Sequence, residues 1–282
     1  MLFSPLIILG ALALFLIISG LLEFKYHQQV LLTIPCRIHV NGTRGKSSVT
    51  RLIAAGLRAG GKRTFAKTTG TAPRVIDAQG IDRIIHRLRK PSIGEQVRLL
   101  KYFSDENPDV VVMECMAVQP QYQWISEHQM VKSDIGVITN ARPDHLDEMG
   151  PTEEDVAKSL CNSIPTNGTL ITAEEKHKSI LQSVANSNKS DIVFSDESTI
   201  TMDELNKFKY IEHPQNIAIA LDVCDKMGIK RDIALKGMHS VQPDLGALIV
   251  WKLKVDGGYI QFVNGMAAND PVSTLQIWKF VI

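Results

Sequence analysis

The chain has 282 residues, 44% of them hydrophobic and 22% charged, with a net charge of +1. That length suits one large or two ordinary domains, and the near-neutral balance offers no field for holding nucleic acid or an acidic surface. Four scattered cysteines (Cys36, Cys115, Cys161 and Cys224) contain no C-x-x-C pair, which argues against a disulfide framework or a zinc site and fits a reducing compartment.

The first element is apolar throughout. Residues 2–22, LFSPLIILGALALFLIISGLL, carry no charge, and about 20 such residues suffice to cross a bilayer. A cleaved signal peptide would want a basic start and a small-x-small cleavage site. Neither is present, so residues 1–24 read as a single uncleaved transmembrane anchor. Lys25, His27 and Arg37 follow the span, and positive charge there places the rest of the chain in the cytoplasm.

Strand-like and helix-like segments then alternate. RIHV (37–40) is a strand pattern. SSVTRLIAAGLRAGG (47–61) has helical spacing through Val49, Leu52, Ile53 and Leu57 and stops at glycines. RTFAK (63–67) reads as a second strand and KTTGTAPR (67–74) as a loop. IGEQVRLLKYFSDENP (93–108) reads as a helix ended by Pro108. DVVVMECM (109–116) and DIGVITN (134–140) are continuous apolar runs, as in strands buried on both faces. TEEDVAKSLCNSI (152–164) starts a helix with Thr152 and acidic residues. GTLITA (168–173) is a strand, and PQNIAIALDVCDKMG (214–228) is a helix with proline first and glycine last. Such alternation predicts an α/β fold with a mainly parallel sheet and helices on both faces, over residues 32–245. Beyond it, ALIVWKLK and GYIQFVN flank Asp256-Gly257-Gly258 and read as a β-hairpin. PVSTLQIWKFVI (271–282) opens a further helix. Its apolar end either packs back on the sheet or belongs with a domain the chain lacks.

Three chemical clusters fall at the carboxyl ends of strands, where ligands sit in such sheets. The first is HVNGTRGKSSVTRL (39–52). Strand, glycine turn and helix start present backbone N–H groups to an anion. Lys46 adds charge for β- and γ-phosphates, and the Ser47 hydroxyl can hold Mg²⁺. The spacing is unusual, since only Thr43 and Arg44 separate Gly42 from Gly45. The second is Glu114, closing DVVVME, either a Mg²⁺ ligand or an ordinary strand-end acid. The third is TNARPDHLDEMG, where His145 lies between Asp144 and Asp147 as a metal ligand or as part of a solvated acidic loop. Lys67, Thr68, Thr69 and Thr71 can be a polar turn around Gly70. Asn216 can be a helix-start residue. Cys115, lacking a clear basic partner, reads as a small buried residue.

Together these pieces resemble the Mur ligase superfamily of ATP-dependent amide-bond formers. Gly42-Thr43-Arg44-Gly45-Lys46-Ser47 matches its short phosphate loop G-T-x-G-K-[ST]. Glu114 matches its Mg²⁺-binding glutamate, and Thr139 to Asp147 its T-N-x-x-x-D-H-[LM]-D segment, whose histidine holds a second Mg²⁺. Asn216 matches its adenine-contacting asparagine. NGTRGKSSVTRL, KTTGTAPRVI, PSIGEQ, MECMAVQPQYQ, DHLDEMGPT and FVNGMAANDPVSTLQIWK resemble more closely the membrane-bound ATPase subunits of poly-γ-glutamate synthases. The resemblance implies catalytic Lys46, Glu114 and His145. It implies ATP contacts from Gly42, Thr43, Arg44, Gly45, Lys46, Ser47, Ser48, Asn140 and Asn216, and Mg²⁺ on Ser47, Glu114 and His145. It implies a growing poly-γ-glutamate chain activated as an acyl phosphate, and other membrane subunits as partners. Arg44 and Arg74 would pair with substrate carboxylates or phosphate. A nucleotide-binding subunit without catalysis, or a folylpolyglutamate or cell-wall type ligase, are the alternatives. Two departures stand out. Lys158 lies one position short of the lysine that many of these enzymes carbamylate, and Ser159 takes its place, so no carbamylation is assigned. The closing C-terminal domain is represented at most by its opening, within 246–282.

Overall fold

Apolar runs without polar alternation become strands covered on both faces. In the computed structural model, which describes residues 5–70, 72–87, 91–243, 249–264, 274–275 and 278, eight strands form one sheet. They are β1 (Cys36–Asn41), β2 (Thr64–Thr68), β3 (Arg74–Ile76), β4 (Asp82–Ile84), β5 (Val110–Glu114), β6 (Ile135–Ile138), β7 (Thr169–Thr172) and β8 (Asp191–Phe194). The order is β4-β3-β2-β5-β1-β6-β7-β8, with β3 and β4 antiparallel at one edge and the other pairings parallel. β1 is central. The chain leaves it towards β2 on one side and later fills the other side with β6, so a crevice opens at its carboxyl end.

The helices are α1 (Pro5–Leu32), α2 (Lys46–Ala59), α3 (Glu95–Asp105), α4 (Pro120–Ile125), α5 (Leu146–Met149), α6 (Glu153–Leu160), α7 (Lys178–Ser187), α8 (Met202–Leu205), α9 (Pro214–Lys226) and α10 (Arg231–His239). α3 stops three residues before Pro108. Asn107 precedes that proline with φ 49°, consistent with the bar on right-handed helix before proline. Thr152 caps α6 in a reciprocal box with Asp155.

Strand alternation sorts the core. Ile38 and Val40 of β1 and Val110 and Val112 of β5 face α2, α9 and α10. Val111 and Met113 face the other way, towards Leu100 and Phe103 of α3 and Leu31 of α1. Leu160 of α6 and Leu181 of α7 cover β6 and β7 through Ile138 and Leu170.

α1 spans 28 residues, about 42 Å at 1.5 Å per residue. Its apolar stretch is exposed and is long and apolar enough to cross a membrane. The helix does not end near residue 24. Its last turns dock on the sheet domain, where His27 Nε2 lies 2.7 Å from the Met130 carbonyl and Val30 and Leu31 are buried. Arg37 then donates to the carbonyls of Leu31, Ile34 and Lys132 and pins the exit.

The expected hairpin is present as β9 (Ile249–Val255) and β10 (Gly258–Asn264), antiparallel, with Trp251 and Phe262 rings 5.5 Å apart. The helix expected over 271–282 falls mostly outside the described residues, as does Thr71.

Candidate active site

The glycine loop expected to hold phosphate forms as its sequence dictates. β1 ends at Asn41, whose side chain accepts from the Gly42 N–H and donates to Gln123 and Ser163, so the loop departs from a fixed point. Gly42 and Gly45 take φ 131° and 81°, values that only glycine adopts without strain. At Gly45 a Cβ would also lie 2.7 Å from Asn216 Oδ1. Gly45→Ala is therefore expected to weaken nucleotide binding about tenfold or more, from left-handed strain plus the clash. Titration with MgADP checks this, and an unchanged affinity would refute it.

Helix α2 begins at Lys46, and its first intrahelical bond runs from Val49 N to the Gly45 carbonyl. The N–H groups before Val49 are left to an anion, as at any helix start. Lys46 curls back over the loop, with Nζ 2.6 Å from the Gly42 carbonyl and 3.2 Å from that of Thr43.

Glu114 is 2% exposed and gathers three segments. Ser47 Oγ donates to its Oε2 at 2.9 Å, the Thr69 N–H donates to the same oxygen at 2.7 Å, and Thr69 Oγ1 donates to Oε1. Two hydroxyls and a carboxylate make a hard-oxygen set that fits Mg²⁺, which takes one or two carboxylates and completes its shell with water and phosphate. His145 stands apart. It caps the short α5 with φ 46°, its side chain is half exposed, and Nε2 lies 3.9 Å from Asp144. Among the described residues no group of three His, Cys, Asp or Glu side chains converges, so a second metal on His145 has no preassembled ligand set.

The resemblance puts Asn140 on the nucleotide. Its amide also holds the loop: Oδ1 accepts from Thr43 Oγ1 and Arg44 N, and Nδ2 donates to the Arg44 carbonyl. The Thr139 hydroxyl takes the same carbonyl at 2.6 Å. Arg44 reaches Asp144 at 3.7 Å and Arg74 reaches Asp82 at 3.5 Å, so both arginines meet acidic residues of the protein. Ser48 faces Glu212. Lys158 is exposed and paired with Glu154.

Two contributors, Glu174 and Glu212, escape the sequence reading, and Thr69 figures there only as part of a polar turn. Thr69 lies 45 residues from Glu114 and reaches it only because β2 pairs with β5. Glu174 lies two residues past β7 and accepts the Ala141 N–H at 2.8 Å, holding the 140–147 loop. Glu212 binds Asn216 Nδ2 at 2.7 Å. Each acid sits just past a strand or before a helix, a position that sequence alone does not distinguish from surface. Nearby, Lys67 is buried 3.6 Å from Glu95, which Arg87 holds with two hydrogen bonds. Burial pushes the Lys67 amine below the ordinary lysine range, against the pull of Glu95 and Glu114. Cys115 is buried as expected, but it does have a basic neighbour: His39, fully buried on the adjacent strand, faces it.

Residues 40–251 match the model of the Mur ligase middle domain. The chain belongs to the Mur ligase family. It is 41% identical over 279 residues to the capsule biosynthesis protein CapB of Bacillus anthracis, covering 97% of this chain and 60% of that protein. It is 38% identical to the PGA synthase CapB of Bacillus subtilis, covering 94% of this chain and 68% of that one. The chain thus spans about 60% of the first relative's length. Among solved structures, a mutant of L. casei FPGS superposes with a TM-score of 0.61 at 15% identity, over 92% of this chain and 76% of that one. The Yersinia pestis bifunctional folylpolyglutamate synthase/dihydrofolate synthase with AMPPNP and Mn ion gives 0.59 at 16% identity, over 78% and 61%. At those identities the likeness is one of fold, a Mur ligase α/β sheet.

Proposed function

We propose that this chain is the ATP-binding portion of an ADP-forming amide ligase of poly-γ-glutamate synthesis. The observation that carries the reading is the convergence of Ser47 and Thr69 on Glu114 beside Lys46 and the start of α2. The 41% and 38% identities to CapB proteins supply the substrate class.

The reaction has two steps. A glutamate carboxylate at the chain end attacks the γ-phosphorus of ATP, forming an acyl phosphate as the bond to the β-phosphate oxygen breaks and ADP leaves. An incoming amine attacks the acyl carbon and expels phosphate, losing its proton to solvent or a base. Phosphoryl transfer of this kind depends on positioning and charge neutralisation. The Gly42–Lys46 loop and the start of α2 hold the phosphates, and the Lys46 ammonium moves from the loop carbonyls to phosphate oxygens. Asn140, Thr139 and Glu174 keep the loops rigid, so their place is behind the ligand. Ser47, Glu114 and Thr69 would hold Mg²⁺, which supplies further positive charge for the phosphates. His145, on its exposed loop, reaches the site when substrate and a closing domain are present. Asn216 lies at the base side.

In this reading residues 1–24 cross the cell membrane once, 32–245 form the cytoplasmic ATP-binding domain, and 246–282 open a C-terminal domain. Lys25 and Arg37, which follow the span, support the orientation. Other membrane subunits complete the synthase. The test uses membranes carrying the whole complex: ADP release that depends on glutamate and matches polymer growth is expected. ATP turnover without amide product would favour a nucleotide-driven assembly subunit instead.

A further inference from the structure

Glu212 is a carboxyl group enclosed by protein, placed just before the N-terminus of α9 where that helix meets the phosphate loop. Its Oε1 accepts two hydrogen bonds, from the His213 backbone N–H at 2.9 Å and from Asn216 Nδ2 at 2.7 Å. Its Oε2 is buried without a direct hydrogen bond, and the hydroxyls of Ser48 and Tyr210 face the group. The nearby charged groups are Arg51 on α2, which faces Tyr210, and Arg142 and Glu197, which face His213.

The hydrogen bonds fix the chemistry of each atom. Oε1 receives a backbone N–H, so it is an acceptor, and the Asn216 atom against it must be the amide nitrogen. Asn216 Oδ1 then turns to the loop, where it meets the Cα face of Gly45. Ser48 belongs to the first turn of α2. Glu212 therefore faces the loop helix at Ser48 and reaches the loop glycine through Asn216.

We propose that Glu212 is a positioning residue whose carboxyl group, with one accepting and one donating oxygen, fastens the phosphate-loop end of α2 to α9 and sets the orientation of the Asn216 amide. The second oxygen is Oε2, which the Ser48 and Tyr210 hydroxyls face; a proton on it leaves no buried lone charge. Burial, the largest influence, raises the affinity of this carboxyl for its proton, and the surrounding polar groups, Asn216 and the His213 N–H among them, only partly oppose it. Loop and base side are thereby joined before any ligand arrives. The nucleotide consequence rests on the reading of residues 42–48 as an ATP site.

Three measurements on the full chain test this. In infrared difference spectra of wild type minus Glu212→Gln at neutral pH, a protonated carboxyl band is expected. Amide hydrogen exchange at residues 43–48 is expected to run about tenfold faster in Glu212→Ala, the size of effect a lost buried hydrogen bond produces, and to return to within about twofold of wild type in Glu212→Gln. MgADP affinity is expected to follow the same pattern. Absence of the carboxyl band, or Glu212→Gln exchanging as fast as Glu212→Ala, overturns the proposal. If Glu212→Ala fails to fold, the band and the Glu212→Gln exchange still decide it. If wild type binds no MgADP, the nucleotide reading fails while the band and the exchange still judge Glu212.

Discussion

Replacing Glu127 by alanine is expected to destabilise the protein by about 3–5 kcal/mol, the usual consequence of stripping one partner from a buried ion pair. Against an ordinary domain stability of about 5–15 kcal/mol that is a large fraction. Glu127 lies in a stretch of π-helix, Ser126–Val131, whose wider turn sets its side chain against β1. Its Oε2 sits 2.8 Å from His39 Nδ1, and both side chains are sealed from solvent, 0% and 1% exposed. Its Oε1 accepts the Ser133 N–H at 2.8 Å and the Ser133 hydroxyl at 2.9 Å. Removing the carboxylate would leave a buried imidazole that must give up its proton and a serine without its acceptor.

A pH signature distinguishes this pair from simple packing. Burial opposes the charge on His39, but the Cys115 sulfur and the Glu127 carboxylate outweigh it and raise the ring from 6.5 to about 10. A raised histidine stabilises fully below the unfolded value. The unfolded ring releases its proton first, so the contribution is lost as pH climbs from 6.5 towards about 10. Urea unfolding of the full chain in detergent should show wild-type stability falling across that window. Glu127→Ala should be less stable at pH 6 and lack most of the fall. Equal midpoints for the two proteins at pH 6 would refute the assignment.

How legible the molecule is from sequence depends on what each residue must touch. The central strands announce themselves because apolar runs such as VVVM have no other stable place. The loop is legible because its glycines, Lys46 and Ser47 are consecutive and act through local backbone. Thr69 and Glu114 are not consecutive, and only the order β2-β5-β1 brings them together. His39 and Cys115 are related the same way: His39 pairs across the sheet with Met113, two residues before the cysteine. β3 and β4 have three residues each, too few for any period to show. α1 outruns the expected anchor because His27 and Gln28, polar enough to look like a boundary, bond to the carbonyls of Met130 and Gln129 instead of to water. Buried acids are the hardest to foresee. Glu174 and Glu212 are enclosed by contacts spread along the chain, and nothing beside them in sequence marks them as different from Glu175 or Glu197.

Lys46→Ala is expected to lower glutamate-dependent ADP formation about 10²–10³-fold, the scale on which a single preorganised charge or donor at a reacting oxyanion acts. The ammonium rests on two carbonyls of its own turn, those of Gly42 and Thr43. Those contacts hold the charge without a cation–anion pair to break, so in the proposed reading a triphosphate draws it across at little cost. Alanine removes the charge but leaves the glycines, Asn140 and the helix start intact. The side chain is only partly buried, so the thermal midpoint should move little, and this separates lost chemistry from lost fold. Lys46→Arg is not expected to restore activity, because a planar, forked guanidinium cannot substitute for a compact ammonium against loop carbonyls. Glu114→Gln supplies the complementary measurement. It keeps an acceptor for Ser47 and Thr69 but removes the negative charge that draws Mg²⁺, so turnover should need more Mg²⁺ to reach its plateau, whereas Lys46→Ala should stay low however much Mg²⁺ is added. Wild-type turnover in Lys46→Ala, or a Glu114→Gln variant with an unchanged Mg²⁺ requirement, would show that the phosphates lie elsewhere.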